Sequence, residues 1–461
     1  MQTFISLIDS ADELCRISAI TDPVMEIAAV TDRFCKLPGG GPALFFERPV
    51  DCRLPVVTNL YGSRKRVCMA LGIEKLGELT SRMRDLLDPL PDTRVTTLDR
   101  QLASCAGFTR FFPHVSAECE PALACAKSSD LTAFPFLQCW PEDGSSTGHP
   151  RYMTVAQVHT TGPHGEAPNC GLYRVQVLGA DECAIQWKAG SGAARHAEMW
   201  RLSGQPMPVA IALGGDPAML FSAMFPLPGE LDEVTFAGFL RGAPLTAAPC
   251  STVPLRVPVG AELVVEGYVQ PDDTVMEGPF GNHSGYYSPA APASRMTVTA
   301  VRHRTDAVIP ATVVGAPPME DCWMSLAWER LLLAFIQKSV PLVHDIHFPF
   351  EWMFHQSAVI SVSDTGPDAV RAIVAALWNL PWFAVSKIVV VVAADAEPLT
   401  LPHAAWLLIN AAEMRSRIIR DPASPRVAID ATADPLPRRR LAIDSHIEAR
   451  VRSRWNDYAV T

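Results

Sequence analysis

A carboxylate next to a glycine-rich turn is the first feature of this sequence that could do chemistry. Glu277 follows the apolar pair Val275 and Met276, and the eight residues after it include three glycines and one proline. Glycine lets the backbone turn with φ > 0 or approach a flat ligand closely, and proline stiffens the turn. A carboxylate held in such a turn suits general acid–base catalysis. A structural β-turn with a solvated Glu277 is the alternative interpretation.

An arginine in a predicted strand is the second candidate. Strand alternation over residues 172–178 places Leu172, Arg174 and Gln176 on one face. Because an unpaired buried charge is very costly, an arginine that faces an apolar interior needs a partner. A substrate carboxylate would match the guanidinium fork with two hydrogen bonds. A salt bridge to a structural acid is the alternative.

The pattern of predicted helices and strands divides the chain into three regions, which must position these residues. Residues 1–110 mix helices and strands and predict a small α/β domain. Residues 111–310 hold short strands separated by Gly and Pro, as in a barrel or sandwich. Residues 311–461 return to helices around an apolar strand, which favours an α/β layer with a terminal helix. Helices are predicted at 4–17, 24–34, 73–88, 323–337, 367–378, 404–419 and 445–455, and strands at 43–46, 152–160, 172–178, 184–187, 209–213, 263–269 and 387–392.

The composition indicates a large globular protein. Its 461 residues are 48% hydrophobic and 19% charged, which is enough to bury the cores of two or three domains. The net charge of −10 argues against nucleic-acid binding, and no basic run is longer than the three arginines at 438–440. No stretch of about 18 apolar residues predicts a membrane span.

The cysteines and the N-terminus bear on the cellular compartment. The twelve cysteines are scattered singly, without a C-x-x-C pair, which is typical of reduced cysteine in a cytosolic protein. The first residues lack the basic segment followed by an apolar segment that marks a signal peptide. The sequence therefore predicts a cytoplasmic protein.

The turn after Glu277 also carries a family resemblance. Its pattern, Glu-Gly-Pro-Phe-Gly-x-His-x-Gly-Tyr-Tyr, resembles the signature of the UbiD family, decarboxylases that use prenylated FMN. Five further stretches resemble the family in the same order along the chain. They are Leu60-Tyr61-Gly62-Ser63-Arg64-Lys65-Arg66, Cys139-Trp140-Pro141-Glu142-Asp143, Asn169-Cys170-Gly171-Leu172-Tyr173-Arg174, Ala212-Leu213-Gly214-Gly215-Asp216-Pro217 and Phe236-Ala237-Gly238-Phe239-Leu240-Arg241-Gly242.

The resemblance implies a fold and an activity. The fold would be an N-terminal α/β domain, a central split β-barrel that binds the flavin, and a C-terminal α/β domain with an oligomerisation helix. The activity would be reversible, non-oxidative decarboxylation of an aromatic, heteroaromatic or α,β-unsaturated carboxylic acid. Arg174 would hold the substrate carboxylate until CO₂ leaves, and Glu277 would transfer protons. A flavin prenyltransferase would supply the cofactor, and the chain would form a homo-oligomer, a dimer or hexamer.

The resemblance also implies the cofactor and metal ligands. Asn169 and Glu233 match the family's metal ligands, whose oxygens suit Mn²⁺ or Mg²⁺ and K⁺. Arg426 aligns with a lysine that the family uses near the cofactor phosphate, with a solvated surface arginine as the alternative. The residues expected to contact prenylated FMN are Leu172, Tyr173, Arg174, Gln186, Trp187, Lys188, Ser191, Gly192, Glu233 and Arg426.

Two positions depart from the family pattern. Gly190 stands where many members have a metal-binding histidine, so water and phosphate would complete the metal shell, or the site is weaker. Asn282 stands where the family has a second carboxylic acid that protonates the product carbon. An amide cannot take that role. The neighbouring His283, Glu277 itself or a water held by Asn282 could supply the proton, since histidine titrates near neutral pH.

These departures leave two hypotheses. The altered acid position is closer to the family's heteroaromatic branch than to its acrylic-acid branch. A non-catalytic cofactor-binding or assembly subunit is the alternative. The retention of Arg174, Glu277, Asn169 and Glu233 argues against it.

Overall fold

The computed structural model describes residues 1–91, 95–120, 122–125, 130–227, 231–396, 399–410, 417–432 and 443–458. The basic run at 438–440 lies outside the described residues. In the described part of the chain, no helix has the length and apolar character needed to cross a membrane.

A four-stranded sheet with order β1-β2-β3-β16, in which β16 is Ile309–Pro310, forms the core of the N-terminal region. Helices cover it, and β16 reaches it from the far end of the central region. The elements are α1 (Gln2–Ser10), β1 (Leu14–Thr21), α2 (Glu26–Cys35), β2 (Ala43–Pro49), β3 (Val56–Thr58), α3 (Arg64–Leu71), α4 (Gly77–Leu87), α5 (Val95–Ser104) and α6 (Ala106–Thr109). Two short strands follow, β4 (His114–Val115) and β5 (Ala124–Cys125), and both pair with strands of the central region.

The predicted helix over residues 4–17 is wrong in its second half. Helix α1 ends at Ser10, and Asp12 then adopts a left-handed conformation with φ 56°. Leu14 and Ile17 belong to β1, where they pair in parallel with Ala43 and Phe46. The helical spacing of apolar residues continues from Ile8 to Ile17 across this turn, so the spacing alone does not show where the helix ends.

Six antiparallel strands close into a barrel in the central region, as the fold prediction requires. The strand order is β12-β9-β6-β7-β8-β15, and pairing of β12 with β15 closes the ring. The elements are β6 (Tyr152–Thr160), β7 (Asn169–Val177), β8 (Glu182–Ile185), α7 (Gly192–Ser203), β9 (Met207–Gly214), α8 (Pro217–Met224), α9 (Glu233–Arg241), β10 (Thr246–Pro249), β11 (Arg256–Pro258), β12 (Ala261–Glu277), β13 (Phe280–Gly281), β14 (Tyr287–Ser288), β15 (Ala291–His303) and β16 (Ile309–Pro310).

A five-stranded sheet with order β17-β18-β19-β21-β20 forms the C-terminal region. Strands β18, β19 and β21 run parallel, and the centre of β19 is buried, as its continuous apolar run predicts. The elements are α10 (Glu320–Ser339), β17 (Val343–His347), β18 (Ser357–Val362), α11 (Pro367–Trp378), β19 (Ile388–Ala393), α12 (Leu401–Asn410), β20 (Ile418–Arg420), β21 (Val427–Asp430) and α13 (Ser445–Ser453).

The predicted helix over residues 404–419 is wrong at its end. Helix α12 ends at Asn410, and Ile418 and Ile419 lie in β20, paired with Ile429 and Ala428 of β21. The residues between them, 411–416, lie outside the described part of the chain. Apolar residues at this end therefore complete a sheet edge and do not extend a helix.

Candidate active site

The turn after Glu277 is fixed by residues from two other segments. Glu277 is the last residue of β12, and the backbone N–H of Gly278 donates to Oε1 of Gln176 at 3.1 Å. The N–H of Gly281 donates to Oδ1 of Asp143 at 2.8 Å. A Cβ at Gly281 would lie 2.0 Å from the indole of Trp140, so only glycine fits there. The conformation of the turn, and with it the place of Glu277, is thus set by packing and hydrogen bonds.

Arg174 and Glu277 form an ion pair with two hydrogen bonds. The Arg174 Nε donates to Oε1 of Glu277 at 2.9 Å, and Nη2 donates to Oε2 at 2.8 Å. Nη2 also donates to Oε1 of Gln186 at 2.9 Å, and the guanidinium lies over the ring of Phe280 at 4.8 Å. The Arg174 side chain is 16% exposed and that of Glu277 is 1% exposed. A buried acid is therefore the partner of Arg174, which was one of the two partners considered from the sequence.

Tyr152 is a neighbour of this pair that the sequence analysis did not identify. Its ring contacts Phe280, with centroids 4.7 Å apart, and its hydroxyl is buried without a hydrogen bond among the described residues. Burial, and then the negative charge of Glu277, raise the pKa of Tyr152, so the hydroxyl stays protonated. A buried, protonated hydroxyl this close to the Glu277 carboxylate can donate to that carboxylate or to a ligand that enters here.

Asn282 and His283 lie at the tip of the hairpin formed by β13 and β14. The Asn282 Nδ2 donates to Oγ of Ser288 at 2.9 Å, and its Oδ1 accepts from the N–H of His283 at 2.8 Å. The amide at position 282 therefore stabilises the turn. The imidazole of His283 contacts His355 and Phe354 from the C-terminal region, at centroid distances of 4.8 and 5.8 Å. Burial, and then the charge of Lys188, lower the pKa of His283.

The segment after β8 carries most of the other residues predicted to contact the cofactor. Trp187 donates from Nε1 to Oγ of Ser294 at 2.9 Å, and its ring lies edge-on to Tyr173. The Tyr173 hydroxyl donates to Oγ of Ser191 at 2.9 Å. Lys188 is exposed. Leu172 is partly exposed, two residues before Arg174 in β7. These residues thus lie around the same end of the barrel as Arg174.

Asn169 and Glu233 meet where β7 and α9 begin. The Glu233 Oε2 accepts from the N–H of Cys170 at 2.9 Å, which places the carboxylate next to Asn169. Burial raises the pKa of Glu233 to about 8. The Nδ2 of Asn169 is buried without a hydrogen bond among the described residues. A Cβ at Gly192 would lie 1.8 Å from Oδ1 of Asn169, so glycine is needed where α7 begins.

This arrangement fits a cation and a phosphate group. An amide oxygen and a carboxylate are ligands for hard cations, and a cation would offset the cost of burying Glu233. The N-terminus of the 12-residue helix α7, capped by Ser191, packs against Asn169 and favours a bound anion. Among the described residues no group of three or more His, Cys, Asp or Glu could hold a metal. Gly190, with φ +80°, adds no side chain to this site.

Arg426 lies apart from this cluster. Its Nε donates to Oδ2 of Asp421 at 2.8 Å, and Nη1 donates to the carbonyl oxygens of Trp378 and Phe383 at 3.1 and 3.3 Å. The guanidinium also lies over the Trp378 ring at 5.4 Å. The Arg426 side chain is thus bonded and packed within the C-terminal region, and its role near a phosphate remains a prediction.

A cavity of about 1020 Å³ lies elsewhere, between α3 and the C-terminal sheet, with Arg64, Lys75 and Arg330 among its lining residues. The residues predicted for catalysis do not line it. The convergence of polar groups at the barrel end, and not cavity size, therefore identifies the candidate site.

Three family models match the chain, one for each region. The 3-octaprenyl-4-hydroxybenzoate carboxy-lyase N-terminal domain matches residues 5–84, its Rift-related domain matches 113–317, and its C-terminal domain matches 322–444. Two relatives are uncharacterised proteins. One, from Archaeoglobus fulgidus, is 34% identical over 436 residues, which cover 94% of this chain and 88% of the relative. The other, from Aquifex aeolicus, is 38% identical over 397 residues, which cover 85% of this chain and 80% of the relative.

Solved structures of the same class share the fold. An evolved dimeric form of the UbiD-class enzyme HmfF from Pelotomaculum thermopropionicum, in complex with prFMN, has a TM-score of 0.82 at 25% identity and covers 97% of each chain. Vanillic acid decarboxylase from Sedimentibacter hydroxybenzoicus, in its closed form, has a TM-score of 0.82 at 23% identity and covers 100% of this chain and 98% of the other. The chain belongs to the UbiD family and is a carboxy-lyase.

Proposed function

We propose that this protein is a prenylated-FMN-dependent enzyme that reversibly decarboxylates an aromatic, heteroaromatic or α,β-unsaturated carboxylic acid, with heteroaromatic acids favoured. The observation that carries the proposal is the buried Arg174–Glu277 pair at the end of the barrel, fixed by Gln186 and by the rigid turn. A cation and an acid–base group held side by side match the two needs of the reaction, which are to bind a carboxylate and to deliver a proton.

Arg174 would bind the substrate carboxylate. Its Nε and Nη2 are engaged by Glu277 and Gln186. A carboxylate that enters would take Nη1 or displace Glu277 from one of its two hydrogen bonds. Because the guanidinium is largely shielded from water, the attraction between the charges is stronger than at an exposed site. CO₂ leaves as a neutral molecule, so no substrate anion remains at the guanidinium, and Glu277 can pair with Arg174 again once it has given up its proton.

Glu277 would move the proton. The C–C bond to the carboxyl group breaks, its electron pair remains on the substrate carbon, CO₂ leaves, and one proton replaces it. When bound, prenylated FMN would supply the electron sink for this step. Once a substrate carboxylate has displaced it from Arg174, Glu277 can take up a proton and donate it to the carbon, because the substrate is held beside it. His283 is the second candidate donor, since Asn282 carries no exchangeable acid.

The cofactor would lie against the end of the barrel. Leu172, Tyr173, Gln186, Trp187 and Lys188 would contact the flavin. Ser191 and Gly192 at the start of α7 would receive its phosphate, together with a Mn²⁺ or Mg²⁺ ion held by Asn169 and Glu233 and with K⁺. The raised pKa of the Glu233 carboxyl group and the unpaired Nδ2 of Asn169 support this assignment. A flavin prenyltransferase would supply the cofactor.

The substrate class rests on what surrounds the pair. The vanillic acid decarboxylase is named for its own aromatic substrate, and it shares this fold. Here Phe280, Tyr152 and Phe354 offer aromatic surface close to Arg174 and His283. Flat rings pack well against such surface.

The chain would act as a homo-oligomer. Helix α13 has no buried residue, and Ile443, Trp455 and Tyr458 beside it are 72%, 52% and 44% exposed. Apolar side chains exposed along one segment favour burial against a second copy. Removal of residues 443–461 should reduce the number of chains per particle, calculated from the mass measured by light scattering. An unchanged number of chains would place the interface elsewhere.

The experiment that tests the function is a direct assay. The chain is co-expressed with a flavin prenyltransferase, its absorbance spectrum is recorded, and CO₂ release is measured from a panel of furoic, pyrrole-carboxylic, benzoic and cinnamic acids. Release from a heteroaromatic acid supports the proposal. If the protein binds the cofactor but neither releases CO₂ nor exchanges deuterium into any product, it is the non-catalytic subunit considered above.

A further inference from the structure

A segment of the C-terminal region lies directly on the catalytic turn. Two short 3₁₀ turns, Phe350–Trp352 and Phe354–Gln356, join at Met353. Phe354 and His355 contact the imidazole of His283, and the His283 and His355 rings are edge-to-face at an angle of 68° with centroids 4.8 Å apart. The proposed proton donor, which is partly exposed, is therefore covered on one side by residues from another region of the chain.

This segment has a conformation that its sequence does not favour. Met353 and Phe354 both adopt positive φ, 55° and 27°, without being glycine. Such residues persist where the surrounding packing holds them, and they concentrate at functional sites. Here Phe350 packs edge-on against Trp323 of α10 at 5.3 Å, and the Ser357 hydroxyl donates to the carbonyl of Trp352 at 3.0 Å. The packing thus holds a strained turn with its imidazole towards His283.

We infer that His355 is a positioning residue that orients His283 and shields it from water, so that the C-terminal region controls proton delivery. This inference rests on the proposed function. The edge-to-face contact means that His355 acts through the shape and apolar surface of its ring. It does not touch the ion pair or the predicted metal ligands in the contacts that the structure describes.

The charges around the two rings fit this role. Burial, then His283, Lys188 and Lys387, lower the pKa of His355 to about 4, so this ring is neutral at pH 7. A neutral ring can pack on His283 without repelling its proton. Lys188 faces His283 from the segment after β8. With His355 removed, water would reach His283, and desolvation, the largest cause of its lowered pKa, would weaken.

The test is a titration of His283 in the holoenzyme. Protein labelled with ¹³C-histidine is titrated by NMR in the wild type, His355→Ala and His355→Phe, with His283→Asn to assign the signal. His355→Ala should move the midpoint of His283 up towards about 6.5, the ordinary value for histidine. His355→Phe keeps an aromatic ring and should leave the midpoint close to that of the wild type. His114→Ala, at an exposed histidine in β4, is the matched control and should change nothing.

The pH profile of turnover gives a second readout. If protonated His283 is the donor, activity falls as pH rises through its pKa. His355→Ala should shift the midpoint of that fall to higher pH, and His355→Phe should keep the midpoint close to that of the wild type. A lower melting temperature in His355→Ala with an unchanged His283 midpoint would overturn the inference and leave His355 a packing residue. A response of His283 in an enzyme that decarboxylates nothing would keep the positioning contact and overturn the proposed function.

Discussion

Arg174 and Glu277 join two strands that are not neighbours in the barrel, β7 and β12, through hydrogen bonds of 2.9 and 2.8 Å. The pair leaves one guanidinium nitrogen, Nη1, without a hydrogen bond among the described residues. The two side chains thus form a buried pair with no net charge, and a substrate anion can bind to Nη1 of its guanidinium.

The first prediction concerns this pair. Arg174→Ala and Glu277→Gln should each reduce turnover by about 10²–10⁴, because each removes a charge or a proton-transfer group at the reacting bond. Arg174→Ala should also destabilise the fold by roughly 3–5 kcal/mol, since it leaves Glu277 buried without a partner. The double variant Arg174→Met/Glu277→Gln should recover stability but not activity. CO₂ release and urea unfolding measure both effects, and CO₂ release at the wild-type rate in either single variant would remove the catalytic assignment.

The second prediction concerns the cation site. Asn169→Ala or Glu233→Ala should lose cofactor and metal on purification while the protein stays folded, because both side chains lie where the cation and phosphate would bind. Glu198→Ala, an exposed position on α7, is the control and should retain both. Absorbance and metal analysis of the purified proteins are the measurements. A full complement of prenylated FMN and metal in the first two variants would contradict the ligand assignment.

The third prediction concerns the pH dependence of the protein without cofactor and metal. The pKa of Glu233 is about 8 in the folded state and has an ordinary value of 4.5. The folded state therefore binds more protons between these values, and its stability should fall as pH rises from about 5 to 8. Since a tenfold change in proton affinity corresponds to about 1.4 kcal/mol, the fall in the free energy of unfolding should reach a few kcal/mol.

Glu233→Gln is the matched variant for this measurement. It keeps the shape of the side chain but cannot ionise, so its free energy of unfolding should vary less over the same pH range. Added Mn²⁺ should restore the stability of the wild type at pH 8 and leave Glu233→Gln almost unchanged. Equal pH dependence in both proteins would show that Glu233 is not a buried, perturbed carboxyl.

Much of this site could be predicted from the sequence because its residues are local to strong patterns. Alternation in β7 and the glycine turn after β12 identified Arg174 and Glu277 individually. Their contact could not be predicted, because it depends on closure of the barrel between residues 103 positions apart. Tyr152 and His355 were missed for the same reason. A lone tyrosine in a strand or a histidine after a phenylalanine carries no local signal.

The errors in the fold have a similar cause. Apolar spacing continued from α1 into β1, and only the parallel pairing of β1 with β2 reveals the strand. The role of Asp143 could not be read from its sequence block, but the structure shows that it fixes the turn through Gly281. Such long-range contacts require the folded chain.

The last prediction concerns Asn282 and His283, where the sequence departs from its family. Asn282 bonds Ser288 through Nδ2 and the His283 N–H through Oδ1, so its contribution is to the shape of the turn. An aspartate can keep the second bond and accept a hydrogen bond from the Ser288 hydroxyl. Asn282→Asp should therefore leave activity intact or raise it, because the variant adds an acid near Glu277.

His283→Asn should act in the opposite direction. It removes the nearest titratable side chain of the turn, and the loss of a general acid costs about 10²–10⁴ in rate. Deuterium exchange into the product should fall in parallel with CO₂ release, because both steps need the same proton. Asn282→Ala is the control for damage to the turn, and its loss of activity should be accompanied by a lower melting temperature. Full exchange in His283→Asn would instead leave Glu277 or a water held by Asn282 as the donor.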